Sequence, residues 1–211
     1  SIREEKDFYC CDIVDCKSLY AKLGIDPKTR ISASRIAAAI GMSVWDTEIE
    51  MADEVLGYPL AQRAEKVMIA AQKGIEREPR AIKIYEIMTG NKTKSAPFAI
   101  PKWNLRIGGA GDSLVSDDIM LEIKSPDRMY TSIEIYEKFK REHPEAAKAN
   151  EELQNYDHIQ STHFVQMMVC MAIYKRKYAD YFVYVEPAKK VFLQRIVFNE
   201  KKWQEIYEKI L

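Results

Sequence analysis

The chain has 211 residues, with 32 acidic and 32 basic side chains and 47% apolar residues, a length and balance ordinary for one globular domain with a sizeable core. The formal net charge of zero excludes the uniformly basic surface of a protein that coats DNA nonspecifically, but leaves room for basic residues gathered on one side and acids serving a metal site. No run of about twenty apolar residues occurs, so no membrane helix is expected, and the opening Ser-Ile-Arg-Glu-Glu-Lys-Asp has no signal-peptide apolar run; the expectation is a cytoplasmic chain with reduced thiols.

In chain order, residues 7–23 carry helical spacing (Phe8, Cys11, Ile13, Val14, Leu19, Tyr20). Residues 31–41 read as a helix capped by Ser32 or Ser34 and ended by Gly41. A short helix is predicted over 48–56. Tyr58-Pro59 opens a long helical pattern to Met88, with Gly74 as the point where it would break and Gly90 as its stop. Short strands are predicted over 98–100, 105–110, 113–115 and 119–124. An amphipathic helix follows over 132–141, and a helix irregular near its middle over 147–174. Strands over 181–185 and 191–198 are joined by the turn Pro187-Ala-Lys-Lys, and 200–211 is a closing helix. This order implies an α/β fold, a mixed sheet flanked by helices. One domain is expected, helical over about 1–95 and holding the sheet over about 96–211. Cys10, Cys11, Cys16 and Cys170 match no zinc spacing; Cys170 reads as a core residue, with an iron–sulfur cluster as the alternative for the set.

The chemistry concentrates between Gly108 and Pro126. Val115-Ser-Asp-Asp lies between two apolar runs as a hairpin turn, which brings Asp112 beside Glu122. Residues two apart on a strand share a face, so Met120, Glu122 and Lys124 project to one side and Leu121 and Ile123 to the other, into a core. Exposed Glu-x-Lys pairs are common on strands and contribute little. This strand is apolar enough to be central, however, and a charge retained there needs a metal or a partner. Two carboxylates suit Mg2+ or Mn2+, and a neighbouring lysine can orient or help deprotonate the attacking water, as in metal-assisted phosphodiester hydrolysis.

Three further stretches accompany the hairpin. Glu78, Ala81, Ile82 and Tyr85 share a helix face; Glu78 would reach over the sheet to a metal, or pair with Arg80 or Lys83 at the surface. His163, Gln166, Val169 and Cys170 share another face. Gln166 there needs hydrogen-bond partners, while His163 reads as a satisfied core or edge histidine and no zinc is assigned. Lys28 and Arg30 precede the Ser-Ala-Ser helix start, where Ser32, Ser34, free N–H groups and cations would form an anion site or simply a cap.

In this order the four stretches resemble the lambda-exonuclease-like nucleases, also called the YqaJ viral recombinase family, of the PD-(D/E)XK superfamily. The family's Ile-x-Ala-Ser helix start comes first. Gly74, Glu78, Ala81, Tyr85 and Glu86 match its Gly-x3-Glu-x2-Ala-x3-(Tyr/Phe)-Glu. Asp112, Leu114, Val115, Glu122, Lys124 and Pro126 match the strand pair, and His163, Gln166 and Met171 match the Tyr-x2-Gln-x4-Met helix. The departures are Gly111-Asp112-Ser113 for Pro-Asp-Gly, Ser125 for cysteine and His163 for an aromatic residue; the stretch 127–158 is longer than usual.

The resemblance implies a restriction-endonuclease-like fold and two Mg2+ ions, with Mn2+ as substitute. They would be held by Asp112, Glu122 and the main-chain carbonyl of Ile123, with Glu78 supporting the second. Lys124 and Gln166 would act on the attacking water, and Ser34 and Ser32 with Arg30 and Lys28 on a 5′ phosphate. It further implies 5′-to-3′ digestion of double-stranded DNA, rings of three subunits, a single-strand annealing protein as partner, no membrane, and phage or viral origin. The alternatives are a structure- or sequence-specific endonuclease on this fold, including a RecB-like enzyme, and an inactive nucleic-acid-binding protein.

Overall fold

A computed structural model describes residues 1–41 and 65–211. The helix expected over 48–56 and the start expected at Tyr58-Pro59 lie outside the described residues. At the centre are strands β7 (Ser113–Leu114), β8 (Ile119–Lys124), β9 (Tyr178–Val185) and β10 (Lys190–Val197), with β4 (Lys94–Ser95) at one edge, in the order β10-β9-β8-β7-β4. The sheet is mixed: β8 runs parallel to β9 and antiparallel to β7. Beside it lie an antiparallel sheet of β1 (Arg3–Glu4), β2 (Phe8–Cys11) and β5 (Phe98–Pro101), and a parallel pair of β3 (Ile31–Ser32) with β6 (Ile107–Gly108).

Seven α-helices occur among the described residues: α1 (Cys16–Leu23), α2 (Ile36–Ala39), α3 (Glu65–Thr89), α4 (Thr131–Glu142), α5 (Pro144–Glu152), α6 (Ser161–Tyr174) and α7 (Glu200–Ile210). None of these is long and apolar enough to cross a membrane. Helix α3 covers one face of the sheet, where Ala81 and Tyr85 pack with Leu121, Ile123, Phe182 and Tyr184. Helix α6 covers the other, where Val165, Met168 and Val169 join Met120, Tyr181 and Val183. The period-two alternation of β8 thus feeds two separate cores, and β9, buried on both faces, is a nearly continuous apolar run. Gly74 and Pro79 both lie inside α3, which does not break at Gly74 and ends before Gly90 at φ +73°.

Other expectations need correction. Within 7–23 only Cys16–Leu23 is α-helical; Phe8–Cys11 is a strand whose Cys10 and Cys11 point into different clusters, and Ile13 and Val14, expected on the buried helix face, are exposed. Residues 31–41 are not one capped helix. Ile31–Ser32 pairs with β6, a 3₁₀ turn spans Ala33–Arg35, and α2 is a single turn. Ser32 occupies the cap position without a side-chain capping bond; its Oγ meets Ser34 Oγ at 3.2 Å instead. The strand expected over 105–110 shrinks to Ile107–Gly108, because Asn104 makes a turn and accepts Arg106 N–H at 3.0 Å on its Oδ1. The helix expected over 147–174 is two, separated where Gln154 takes φ 54° and Asn155 Oδ1 accepts Asp157 N–H. Helical periodicity continued across the gap because Tyr156 and Ile159 are themselves core residues.

One buried carboxylate fastens α3 to the sheet. Asp180 on β9 accepts Tyr85 Oη at 2.6 Å and Arg195 Nε at 2.8 Å. Asp180→Ala would leave the Tyr85 hydroxyl buried without its acceptor and should cost on the order of 2 kcal/mol. Urea unfolding, read as a shift in midpoint at unchanged slope, measures it.

Candidate active site and anion pocket

The β7–β8 register sets Ser113 opposite Leu121, so the next position places Asp112 across from Glu122. Asp112 Oδ2 accepts the Ile123 N–H at 2.6 Å, tying the carboxylate to the strand that carries Glu122. Glu122 is 1% exposed. Its Oε1 lies 3.0 Å from Lys124 Nζ, while Oε2 is buried with no hydrogen-bond partner among the described residues. Lys124 Nζ donates to Gln166 Oε1 at 3.2 Å, so α6 reaches the same point from above the sheet. The structure therefore brings Asp112, Glu122, Lys124 and Gln166 together.

The electrostatics follow from burial and proximity. Burial, then the Glu122 charge, raises the Asp112 carboxyl well above the usual carboxylate range, with Lys124 opposing. Glu78 on α3 is raised by burial and by Glu122, again against Lys124, so it senses this cluster from the opposite face. Its surface alternatives are taken: Arg80 pairs with Glu186 and Lys83 with Glu86. Burial alone would lower the Lys124 ammonium, but Glu122 and Asp112 outweigh it and hold the group above its ordinary value.

Among the described residues, no three His, Cys, Asp or Glu side chains converge as a ready cage for an ion. Mg2+ does not need one: it is commonly held by one or two carboxylates, with waters and substrate phosphates completing its shell. The unpartnered Oε2 of Glu122 beside Asp112 supplies that hard-oxygen pair. The residues present thus fit a divalent cation.

Tyr174 and Tyr130 were not legible beforehand, whereas Cys170, His163 and Ser125 were already singled out. Tyr174 Oη accepts Gly111 N–H at 3.0 Å and donates to the Pro97 carbonyl, anchoring the segment that carries Asp112. Tyr130 is close enough to Lys124 for each to influence the other's titration. Cys170, one turn beyond Gln166, is buried, and burial with the Glu122 and Asp112 charges pushes its thiol far up. His163 is satisfied as expected, half-buried, with its Nδ1 bonded to Tyr181 Oη at 2.7 Å. Ser125, which stands where the family pattern has cysteine, donates to the Tyr184 carbonyl at 2.9 Å.

A second site lies against the Gly109 segment. Arg30, Ser32, Ser34, Tyr20, Gly109 and Ala110 help line a cavity of about 330 Å³. The Arg30 guanidinium sits over the rings of Tyr20 and Phe98, at 5.0 and 5.3 Å. Its Nε and Nη1, and the Tyr20 hydroxyl, are buried without hydrogen-bond partners among the described residues. Such groups imply an absent acceptor. Gly109 is required here, since a Cβ would stand 2.7 Å from Ala33 Cβ. Lys28, expected in this group, does not line the cavity: it is exposed, in the Pro27–Thr29 turn, with its main-chain N–H bound by Asp26 Oδ1. Tyr20 was missed because it joins Arg30 only through tertiary packing.

The model of the YqaJ-like viral recombinase domain matches residues 26–177. Among solved structures, the alkaline exonuclease LHK-Exo from Laribacter hongkongensis superposes with a TM-score of 0.64 at 22% identity, over 92% of this chain and 88% of that one. LHK-Exo in complex with dAMP gives a TM-score of 0.64 at 23% identity, over 86% and 84%. A phage related exonuclease from Haemophilus somnus 129PT gives 0.55 at 20% identity, over 86% and 90%. At these identities the likeness establishes the fold, that of PD-(D/E)XK nucleases. No curated protein sequence matches the chain.

His163 generates a pH prediction. Burial, with Lys124 adding, pulls its imidazole from 6.5 down to about 2. Below about pH 6.5 the unfolded chain binds a proton that the folded chain refuses, so this group makes stability fall with pH, by on the order of 1 kcal/mol per unit. His163→Gln should flatten that slope, which unfolding midpoints measured from pH 7 to pH 4 would reveal.

Proposed function

The chain belongs to the YqaJ-like viral recombinase domain family, and from that premise we propose that it is a divalent-metal-dependent DNA exonuclease acting at the 5′ ends of double-stranded DNA. The observation that carries this reading is the meeting of Asp112, Glu122, Lys124 and Gln166, with one Glu122 oxygen buried and unpartnered.

In this reading Asp112, Glu122 and the Ile123 carbonyl hold Mg2+ or Mn2+, with Glu78 supporting a second ion. Bound there, the ions would polarise the phosphoryl oxygens and favour a deprotonated nucleophile. The residues of the chain do the rest. Lys124, held as an ammonium, donates hydrogen bonds to the attacking water and to a phosphoryl oxygen on which charge builds. Gln166, accepting from Lys124, fixes the direction of that donor. Water oxygen attacks phosphorus, the bond to the 3′ oxygen of the terminal nucleotide breaks, and a nucleoside monophosphate leaves. The shortened strand then carries a new 5′ phosphate.

That product suits the second cavity. Arg30, Tyr20, Ser32 and Ser34 offer one cation and several hydroxyls to a terminal phosphate, and charge-assisted hydrogen bonds of this kind are the strong ones. Each turnover regenerates the group the pocket holds. The complex of LHK-Exo with dAMP, a nucleoside monophosphate on a like fold, supports this product class. We further propose a ring of three copies and a single-strand annealing protein as partner, on family grounds.

The test uses linear duplex DNA labelled at one 5′ or one 3′ end, beside a closed circle, in Mg2+. Release of 5′-terminal nucleotides from linear DNA alone is expected, and Lys124→Ala should lower turnover on the order of 10²- to 10³-fold. Cutting of the circle would point to an endonuclease, and binding without cleavage to an inactive fold. Arg30→Ala should abolish any preference for a 5′-phosphorylated over a 5′-hydroxyl end, a ratio independent of the overall rate.

A further inference from the structure

Away from both sites, a cleft of about 670 Å³ lies where the end of α6 and the start of β9 meet α7 and the 102–106 turn. One wall is aromatic. Trp103, Trp203 and Tyr207 form a cluster with ring centroids 5.3 to 5.5 Å apart. Trp203 is 7% exposed and packs inward, whereas Trp103 is 36% exposed and opens to the cleft. The Tyr207 hydroxyl is engaged by Asn104 Nδ2 at 3.4 Å, so this wall offers ring faces more than donors.

The opposite rim is basic. Lys175, Arg176 and Lys177 follow one another, against Glu200 as the one acid among the described lining residues. This is a local excess in a chain of zero net charge. The main chain fixes the run: Lys175 takes φ 57° at the α6 terminus, Arg176 N–H bonds to Met171 O and Lys177 N–H to Asp118 O. Arg176 Nε is buried without a hydrogen-bond partner among the described residues. Arg176 Nη1 donates to the Tyr174 carbonyl and Lys177 Nζ pairs with Asp118 Oδ1 at 3.3 Å, an exposed pair of little worth that a phosphate can replace. Lys175, Arg176 and Lys177 all line the cleft that Trp103 also lines.

Planar rings beside fixed cations match the chemistry of unpaired nucleotides, whose bases stack while their phosphates take the charges. A peptide would find few main-chain partners on a wall of rings. We propose that this cleft binds single-stranded DNA, with a base stacked on Trp103 and the flanking phosphates on Lys175 and Lys177. The inference rests on the nuclease reading for the identity of the strand. Gln166 and the cleft belong to one helix, with about 12 Å of helical rise between Gln166 and Tyr174. A strand unpaired at the active site is thus within short reach.

The experiment uses the full chain carrying Lys124→Ala, so that DNA survives, and measures fluorescence anisotropy of a labelled oligothymidylate and of an abasic oligomer of equal length. The parent should bind the base-bearing strand about tenfold more tightly, the size of one base–aromatic stack. Trp103→Ala should erase that ratio, Trp103→Phe should keep most of it, and Lys175→Glu should weaken both strands. An unchanged ratio in Trp103→Ala overturns the proposal, and so does a Trp103→Ala variant that changes only the oligomeric state, which would give the cleft to a second copy. If the wild-type chain digests duplex ends while the ratio ignores Trp103, the cleft proposal alone falls. If it digests nothing while the ratio depends on Trp103, the nuclease reading alone falls.

Discussion

Placing a carboxylate and an ammonium side by side on a buried strand is the constraint to which the rest of this molecule answers. Glu122 is almost wholly enclosed, and its direct partner among the described residues is Lys124, two residues on along the same strand face. A buried charge with an unpartnered oxygen is expensive, so the neighbours must be arranged to make the cost bearable. Asp112 is drawn in by a main-chain N–H of the same strand, and Gln166 meets Lys124 from the covering helix. On the other face, Leu121 and Ile123 pack under α3 and supply the apolar burial that holds β8 in register. A one-residue slip would exchange the two faces, burying Leu121 and Ile123 against the polar cluster and sending Glu122 into the apolar core.

That dependence explains what could be read from the sequence. The bounds of β8 were legible because its apolar-charged alternation repeats every two residues, and a charge on such a strand is informative in itself. The hairpin that delivers Asp112 and the helix that delivers Gln166 were legible for the same kind of local reason. The amino-terminal third was not. Phe8 to Cys11 had apolar spacing compatible with a helix, but its partner strand lies some ninety residues away in sequence, and pairing across that distance decides the matter. The Ser-Ala-Ser stretch had the composition of a cap, yet the serines turn to each other beside Arg30, because Ile31 and Ser32 pair with β6.

Tyr20 and Tyr174 show the general limit. Each acts through one hydroxyl at a place fixed only by tertiary packing: Tyr174 lies sixty-three residues from Gly111, and Tyr20 sits on a helix whose pattern speaks only of its own buried face. Residues that shape a site through long-range contacts leave no periodic trace. The neutral total charge was similarly uninformative, since it averages over basic groups gathered at Arg30 and at Lys175 to Lys177 and acids enclosed around β8.

The run from Gly109 to Asp112 belongs to both sites at once. Gly109 and Ala110 wall the cavity beside Arg30, Asp112 joins the carboxylate pair, and the Tyr174 hydroxyl pins Gly111 between them. Three residues of main chain span at most about 11 Å, and this span is clamped rather than free. The segment therefore works as a ruler. In the proposed reading, a terminal phosphate seated at one end would be held at a set distance from the reacting phosphorus at the other, so the length of the piece removed would be written into the backbone and not into any contact with a base.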